Sequence, residues 1–339
     1  MPDPSTTVAA LLLALVPSLV YLFVLNLIDR YEKEPWTILI ACLVAGAIVA
    51  PAFSIGAFQA IGRAPALPPA FAPGRSPDAL TGIVEAVAVG LVLVAITRSV
   101  RQEFDDVLDG VIYGAAVGAG FGAAESFLYA LGGTTQLSPL TTAQLLAAGL
   151  NHAFYGAAVG AVLGWARDLA PWPRWTATVL GIGSAAWLQA FHDTLPLILA
   201  RVVGRPDAAA GSAVRLLADA VNWLGILAMV AIVVLAWRRE ARILRAELRA
   251  EVDAGVVPVA DYATLTSFGG RIRRQAALLR LGGLSPVLRL RRRYAAEGEL
   301  AFHKWHLRRR TAANRPDPGR GDSLRELIRS LDDVGQAAR

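Results

Sequence analysis

The sequence predicts an all-α protein, a polytopic bundle of about seven transmembrane helices followed by a basic helical tail. Hydrophobic residues make up 55% of the chain and the mean hydropathy is +0.47, which is more apolar side chain than a soluble domain usually buries. The apolar residues form repeated runs of about 20, the length that a helix needs to cross a membrane. These runs are continuous rather than alternating, which favours helices over a β-barrel.

Charged residues divide the apolar sequence into seven predicted spans. Because lipid offers no partner to a free backbone amide, each span must satisfy its own hydrogen bonds as a helix. The first span has no basic residue before it and is longer than the core of a signal peptide, so we expect it to be retained. The predicted spans are Thr7 to Ile28, Trp36 to Ile61, Ala79 to Thr97, Asp109 to Leu131, Thr142 to Ala166, Trp175 to Leu199 and Val214 to Trp237.

The chain changes character at Arg238, which predicts a membrane core of residues 1–237 and a tail of residues 238–339. The tail holds 22 of the 33 Lys and Arg residues but 12 of the 27 Asp and Glu residues, so it carries +10 and the core −4. Basic segments stay in the cytoplasm, which predicts a cytoplasmic tail and an amino terminus outside. A basic amphipathic helix opens the tail, and we expect it to attract anionic lipids rather than nucleic acid.

Two rows of glycines occupy single helix faces in the fourth and fifth predicted spans. Small residues at a spacing of four let two helix backbones approach closely. Each row lies within or beside the same seven-residue sequence, Tyr-Gly-Ala-Ala-Val-Gly-Ala, which is either a duplication or a simple packing sequence. The rows are Gly114, Gly118 and Gly122, and Gly156, Gly160 and Gly164.

Ionisable residues within the apolar runs include Glu85, Glu125, His152, His192 and Asp193. Each costs at least about 2.5 to 3.5 kcal/mol to insert, so each needs a partner or a task. Helix geometry places the first four about 9 to 15 Å from the outer ends of their spans. Antiparallel packing of the glycine rows would bring Glu125 and His152 to the same end. Two imidazoles with one or two carboxylates could hold zinc and an activated water, or could form a proton or ion pathway.

Two stretches resemble a known family. They are Asp-Arg-Tyr-Glu-Lys-Glu-Pro-Trp from Asp29, and the long segment from Glu103 to Glu125 that contains Asp-Gly-Val-Ile-Tyr-Gly and ends in Phe-Gly-Ala-Ala-Glu. They resemble the PrsW family of intramembrane metalloproteases, relatives of the bacterial CAAX-protease-like membrane enzymes. The prototype of the family is a site-1 protease that acts on an anti-sigma factor. The resemblance covers about Asp29 to Asp193.

The resemblance implies a role for each polar residue of the spans. Glu125 closes the Phe-x-x-x-Glu motif, and with His152 and His192 it would hold a divalent metal, for which zinc is the best candidate. Glu85 would activate the water as general base, although the two glutamates could exchange these roles. Asp193 could orient a ligand or be a packing residue. For Asn222, in the seventh span, packing is the favoured role and donation to an oxyanion is the alternative.

The implied activity is cleavage of a membrane-anchored protein near the extracytoplasmic face of a bacterial plasma membrane, as in regulated proteolysis. The first motif of the family reads Glu-Glu-x-x-Lys, whereas this chain keeps only Glu85 and has Ala86 and Val89 at the other two positions. Two alternatives therefore stay open. One is an inactive family member that scaffolds membrane proteins, and the other is a small proton-coupled transporter.

Overall fold

A computed structural model describes residues 4–31, 33–62, 79–101, 103–131, 139–202, 212–267, 269–309 and 319–336. Within these ranges all regular secondary structure is α-helical, which confirms the predicted fold class. The helices are α1 (Pro4–Ile28), α2 (Trp36–Ala60), α3 (Ala79–Ser99), α4 (Val107–Leu131), α5 (Pro139–Ala166), α6 (Pro171–Val202), α7 (Ser212–Asp253), α8 (Val259–Leu265), α9 (Gly270–Gly282), α10 (Leu284–Arg309) and α11 (Arg320–Gln336).

Five helices of the described chain are long and apolar enough to cross a membrane: α1, α2, α3, α4 and α7. Large apolar side chains of α1 and α2 point outward, among them Leu19, which is 58% exposed, and Ile48, which is 64% exposed. A water-soluble fold would bury such residues, whereas lipid accepts them. The chain is therefore an integral membrane protein, and the count of seven spans remains a prediction.

Helix α4 lies at the centre of the membrane unit, with α1, α2 and α5 packed around it. Every residue from Gly110 to Gly122 is buried. Glycine allows this crowding, because a Cβ atom at Gly120 would lie only 2.0 Å from the carbonyl oxygen of Leu43 in α2. A Cβ at Gly46 of α2 would meet the carbonyl oxygen of Val117 at 1.9 Å. Small residues on both helices thus place α2 and α4 in backbone contact.

The two predicted glycine rows face each other in an antiparallel pair of helices. Built Cβ atoms at Gly110 and Gly114 would stand 2.0 and 2.1 Å from the carbonyl oxygens of Gly160 and Gly156, respectively. At the far end of the contact, Gly122 meets the backbone of Gly149. Because α4 is a candidate span and α5 follows it over about three turns, this packing supports the prediction that α5 also crosses the membrane.

The chain folds into two compact units, Met1–Asp29 with Glu34–Val233, and Arg30–Lys33 with Val234–Arg339. The division falls within α7, one helical turn before the predicted boundary at Arg238. Residues Arg30–Lys33, which the sequence placed in the membrane core, belong to the second unit. The physical reason is Tyr31, which is 5% exposed and packs with the apolar cluster of that unit.

The second unit has its own apolar core and its own ionic contacts. Leu244 and Leu248 of α7 pack with Leu265, Tyr294 and Leu300 in a buried cluster. In the same unit, the carboxylate of Glu251 receives hydrogen bonds from Lys304 at 2.7 Å and from Arg325 at 2.7 and 3.0 Å. These partners lower the pKa of Glu251 to about 2. The tail therefore contains packed helices rather than a single amphipathic segment.

Candidate functional site

The antiparallel contact of α4 with α5 brings the first two predicted site residues together. A Cβ atom built on Gly118 would lie only 2.0 Å from the backbone oxygen of His152. The glycine therefore lets the α5 backbone approach at this point, which fixes the position of His152 along the helix pair. The Nε2 atom of His152 then lies 2.7 Å from Oε2 of Glu125. The imidazole also packs on the ring of Phe121, with 4.9 Å between ring centroids. The Phe-x-x-x-Glu motif thus supplies both a ligand candidate and a wall for the histidine.

The second histidine lies between two carboxylates from different helices. The Nδ1 atom of His192 is 3.2 Å from Oδ1 of Asp193, and its Nε2 atom is 3.0 Å from Oδ1 of Asp219. Asn151 of α5 donates to the same Asp219 oxygen at 2.7 Å. These contacts join α5, α6 and α7. A carboxylate on an imidazole nitrogen fixes the tautomer and the ring orientation, which is a common supporting contact in metal sites.

The third predicted element, Glu85, is almost fully buried, with 2% of its surface exposed. Gln189 of α6 donates to its Oε2 atom at 2.7 Å, while Oε1 has no hydrogen-bond partner among the described residues. The Oδ2 atom of Asp193 is likewise buried without such a partner. Glu85 is within electrostatic range of both Asp193 and Glu125. Buried carboxylate oxygens of this kind are costly unless a proton, a water or a cation accompanies them.

Gly82 explains how α3 comes close enough to α6 to form this layer. A Cβ atom there would lie 2.7 Å from Oδ2 of Asp193 and 2.8 Å from the backbone nitrogen of Ala190. Glycine is therefore required for the contact, because any side chain would push the helices apart. The close approach places the Glu85 side chain, one turn further along α3, against Gln189.

The ring of Tyr155 lies near both histidines. Its ring centroid lies 6.2 Å from that of His152 and 6.4 Å from that of His192, both in edge-on geometry. Asn222 of α7 donates a short hydrogen bond to the Tyr155 hydroxyl. The side-chain nitrogen of Asn222 thus has a partner within the bundle, and its role stays a prediction.

Four polar residues near the site were not selected from the sequence: Asn151, Tyr155, Gln189 and Asp219. Asp219 falls inside the predicted seventh span, so the argument that selected the other ionisable residues applies equally to it. Tyr155 begins the second copy of the repeated heptapeptide, whose first copy begins with Tyr113. Both tyrosines bury a hydroxyl group against a polar partner, since Tyr113 donates to Glu34. Asn151 and Gln189 are neutral, and the sequence carries no signal for them.

The three predicted metal ligands are not drawn to a common point. Among the described residues only Asp105, Asp106 and Asp109 have three potential ligand atoms within 4.8 Å of one another. Those carboxylates have a structural role, because Asp106 Oδ1 accepts from the backbone of Leu108 and Asp109 at 2.6 and 3.2 Å as the N-cap of α4. Asp109 Oδ2 in turn accepts from the backbone nitrogens of Asp105 and Asp106.

The residues at the predicted site nevertheless fit a divalent metal by their chemistry. Glu125, His152 and His192 supply one carboxylate and two imidazoles, a ligand set that zinc favours. Glu85 and Asp193 each have one buried carboxylate oxygen that receives no hydrogen bond from the described residues. A cation with a bound water would supply what is missing.

Comparison with known proteins gives one match. The family model described as PrsW family intramembrane metalloprotease matches residues 34–236, which is more than half of the chain. Neither the search of curated proteins nor the search of solved structures gives a match. The matched range contains the glycine-packed helix pair and every polar residue of the site. The chain therefore belongs to the PrsW family of intramembrane metalloproteases.

Proposed function

We propose that the protein is a metal-dependent endopeptidase that cleaves a membrane-anchored protein near the extracytoplasmic face. The observation that carries the proposal is the contact of 2.7 Å between Glu125 and His152, which two glycine rows enforce across two helices. Family membership supports proteolysis as the reaction class. A lone buried histidine has many packing explanations, but a histidine and a glutamate paired across helices beside a second histidine and Glu85 form a constellation suited to chemistry.

Glu125, His152 and His192 would hold the metal, with zinc as the best candidate. When bound, such an ion lowers the pKa of a water ligand and polarises a carbonyl group. His192 now shares both ring nitrogens with Asp193 and Asp219, so metal binding requires it to exchange one of these hydrogen bonds. The carboxylate that remains would hold the imidazole in the required tautomer.

Glu85 is the proposed general base. Its Oε1 atom is free to accept a proton from the attacking water, while Gln189 holds the other oxygen in place. The same carboxyl group can then deliver that proton to the leaving nitrogen of the peptide bond, which balances the hydrolysis. The buried position of Glu85 shields the carboxylate from bulk water.

The proposal can be tested without a known substrate by sequencing new protein amino termini in membranes. Cells would express the wild type, Glu85→Gln, or the control Glu103→Gln, an exposed change outside the site. We expect new termini near the ends of membrane spans with the wild type and the control. Glu85→Gln should reduce them by about 10² to 10⁴-fold, the usual contribution of a general base. Equal cleavage by Glu85→Gln would contradict the assigned role.

One observation favours an inactive scaffold as the second candidate. Ala86 and Val89 stand where the family motif has an acid and a base, and both are buried, at 2% and 4% exposed, so this helix offers Glu85 no second ionisable group at those positions. If the wild type produces no new termini and Ala86→Glu does produce them, the chain has lost the activity of its family. In that case the same fold would serve as a binding protein for membrane partners.

A further inference from the structure

A pocket of about 660 Å³ lies beside the part of α7 where apolar sequence gives way to arginines. Val234, Leu235 and Trp237 line its apolar part. Arg238, Arg242 and Arg245 line its basic part. This volume falls within the usual range of small-molecule sites, about 300 to 1,000 Å³. No carboxylate is among the described residues that line the pocket.

The three arginines form one row because their spacing of four and three residues places them on a single face of α7. Each is exposed, and none forms an ion pair with a carboxylate in the described part of the chain. Arg245 donates one hydrogen bond to the backbone oxygen of Thr266 at 3.1 Å, and this contact orients its side chain toward the pocket. A guanidinium has five N–H donors, so all three retain donors for an anion.

Polarity along the pocket follows the axis of α7. The apolar side chains belong to the last turn of the hydrophobic stretch of a candidate membrane span, and the arginines occupy the next two turns. A ligand that fits both parts carries an apolar chain and, about one helical turn away, an anionic group. Trp237 lies at the junction, where indole rings commonly sit at the level of lipid headgroups.

Tyr31 closes the pocket from a separate segment of the chain. Its ring is buried in the apolar cluster of the second unit, and the guanidinium groups of Arg30 and Arg271 lie 5.3 and 5.5 Å from the ring centroid. These cations add to the positive charge around the wall without lining the cavity. The side of the pocket that Tyr31 forms is therefore well packed. This distinguishes the site from a basic helix that is attracted to a membrane without a defined pocket.

We infer that this pocket binds one anionic glycerophospholipid, whose phosphate contacts Arg238, Arg242 and Arg245 and whose acyl chain lies along Val234 and Leu235. The inference does not depend on the proposed proteolysis. It goes beyond general lipid attraction, because it assigns a single site with a defined stoichiometry. A free phosphate compound could satisfy the arginines but would leave the apolar part of the pocket in contact with water.

The test uses full-length protein in detergent micelles and counts bound lipid by native mass spectrometry. The probes are dioleoyl phosphatidylglycerol, dioleoyl phosphatidylcholine and glycerol 3-phosphate. We expect one tightly held phosphatidylglycerol per chain, while phosphatidylcholine and glycerol 3-phosphate bind at least tenfold more weakly. Equally tight binding of glycerol 3-phosphate would show that the site recognises free phosphate, and equal binding of phosphatidylcholine would show that charge is irrelevant. Either result overturns the inference.

Two variants locate the site. In one, Arg238, Arg242 and Arg245 are all changed to Gln, which should weaken phosphatidylglycerol binding about a hundredfold, because each basic residue near a lipid surface contributes about a factor of five. In the other, Val234→Trp narrows the apolar part without changing the charge, and it should also weaken binding. Unchanged binding in both variants would overturn the inference. Circular dichroism and gel filtration of each variant would establish that it folds.

A matched control removes three positive charges elsewhere in the same unit. Arg280, Arg291 and Arg292 are exposed, lie outside the pocket and form no ion pair within the described ranges. Changing all three to Gln should alter the affinity for phosphatidylglycerol by less than about threefold, since only the long-range potential changes. If this control loses as much affinity as the pocket variant, binding is a property of net charge and the assigned site is wrong.

Discussion

Gly114→Ala should destabilise the membrane core although it adds only one methyl group. The new Cβ would lie 2.1 Å from the carbonyl oxygen of Gly156, whereas ordinary contact begins near 3.4 Å, so α4 and α5 must separate by about 1.3 Å. The obstructing atom is backbone and cannot move aside as a side chain could. Overpacking of this kind costs about 1 to 3 kcal/mol, which for a core of this size corresponds to a fall of roughly 2 to 12 °C in the melting temperature.

Cys42 provides the assay for this prediction. It is the single cysteine of the chain, it is fully buried, and it lies on α2, which packs against α4. A thiol-reactive fluorogenic dye should therefore label purified protein only when heating opens the core. The matched control is Gly183→Ala in α6, since a Cβ there meets nothing within 4 Å. Alanine stabilises a helix relative to glycine by up to about 1 kcal/mol, so the control should melt at or above the wild-type temperature.

The outcome separates close packing from general sensitivity to helix substitutions. If Gly114→Ala melts with the wild type, the backbones of α4 and α5 are not in contact and the placement of His152 beside Glu125 loses its basis. If the melting temperatures of both glycine variants fall equally, the effect does not come from the α4–α5 contact.

Three further predictions concern the tail, the hydrogen-bond partners of His192 and the topology. Burial raises the pKa of Glu297 to about 8, so the contribution of this residue to stability is fully present below pH 4.5 and is lost as the pH rises through 8, a loss of at most a few kcal/mol. Hydrogen exchange of α10, corrected for the intrinsic rate, should therefore show lower protection at pH 8 than at pH 5 in the wild type and in the control Glu299→Gln. Glu297→Gln should not show this difference. Asp219→Asn should lower zinc affinity about 10- to 100-fold, by titration against a chelator, because it weakens the support of His192, and an unchanged affinity would contradict that role. A reporter fused after Arg239 should be cytoplasmic, and an external reporter would refute the predicted orientation.

The sequence was sufficient to predict those parts of the site that depend on helix periodicity. The glycine rows identified the faces of α4 and α5 that meet, and antiparallel packing then placed Glu125 near His152. The partners of His192 could not be predicted in the same way. Asp219 reaches it from the next helix, 27 residues further along the chain, and the relative rotation of α6 and α7 depends on packing that no periodic pattern encodes.

The tail shows a second limit of the sequence. Composition revealed its charge and the approximate position where it begins, because lysine and arginine counts change sharply after the last apolar run. Composition did not reveal its apolar core, which is assembled from residues scattered over several short helices and from Tyr31. Long-range packing of this kind leaves no local signal, since the contributing residues come from segments that are far apart in the chain.

The most direct test of the central claim is the metal content of purified full-length protein, measured by elemental mass spectrometry after growth with added zinc. We predict one equivalent of zinc per chain in the wild type and in His306→Ala, a tail variant. Glu125→Gln, His152→Ala and His192→Ala should each lose most of it, because two remaining ligands hold zinc weakly. A wild type without metal, or full stoichiometry in all three site variants, would contradict the account.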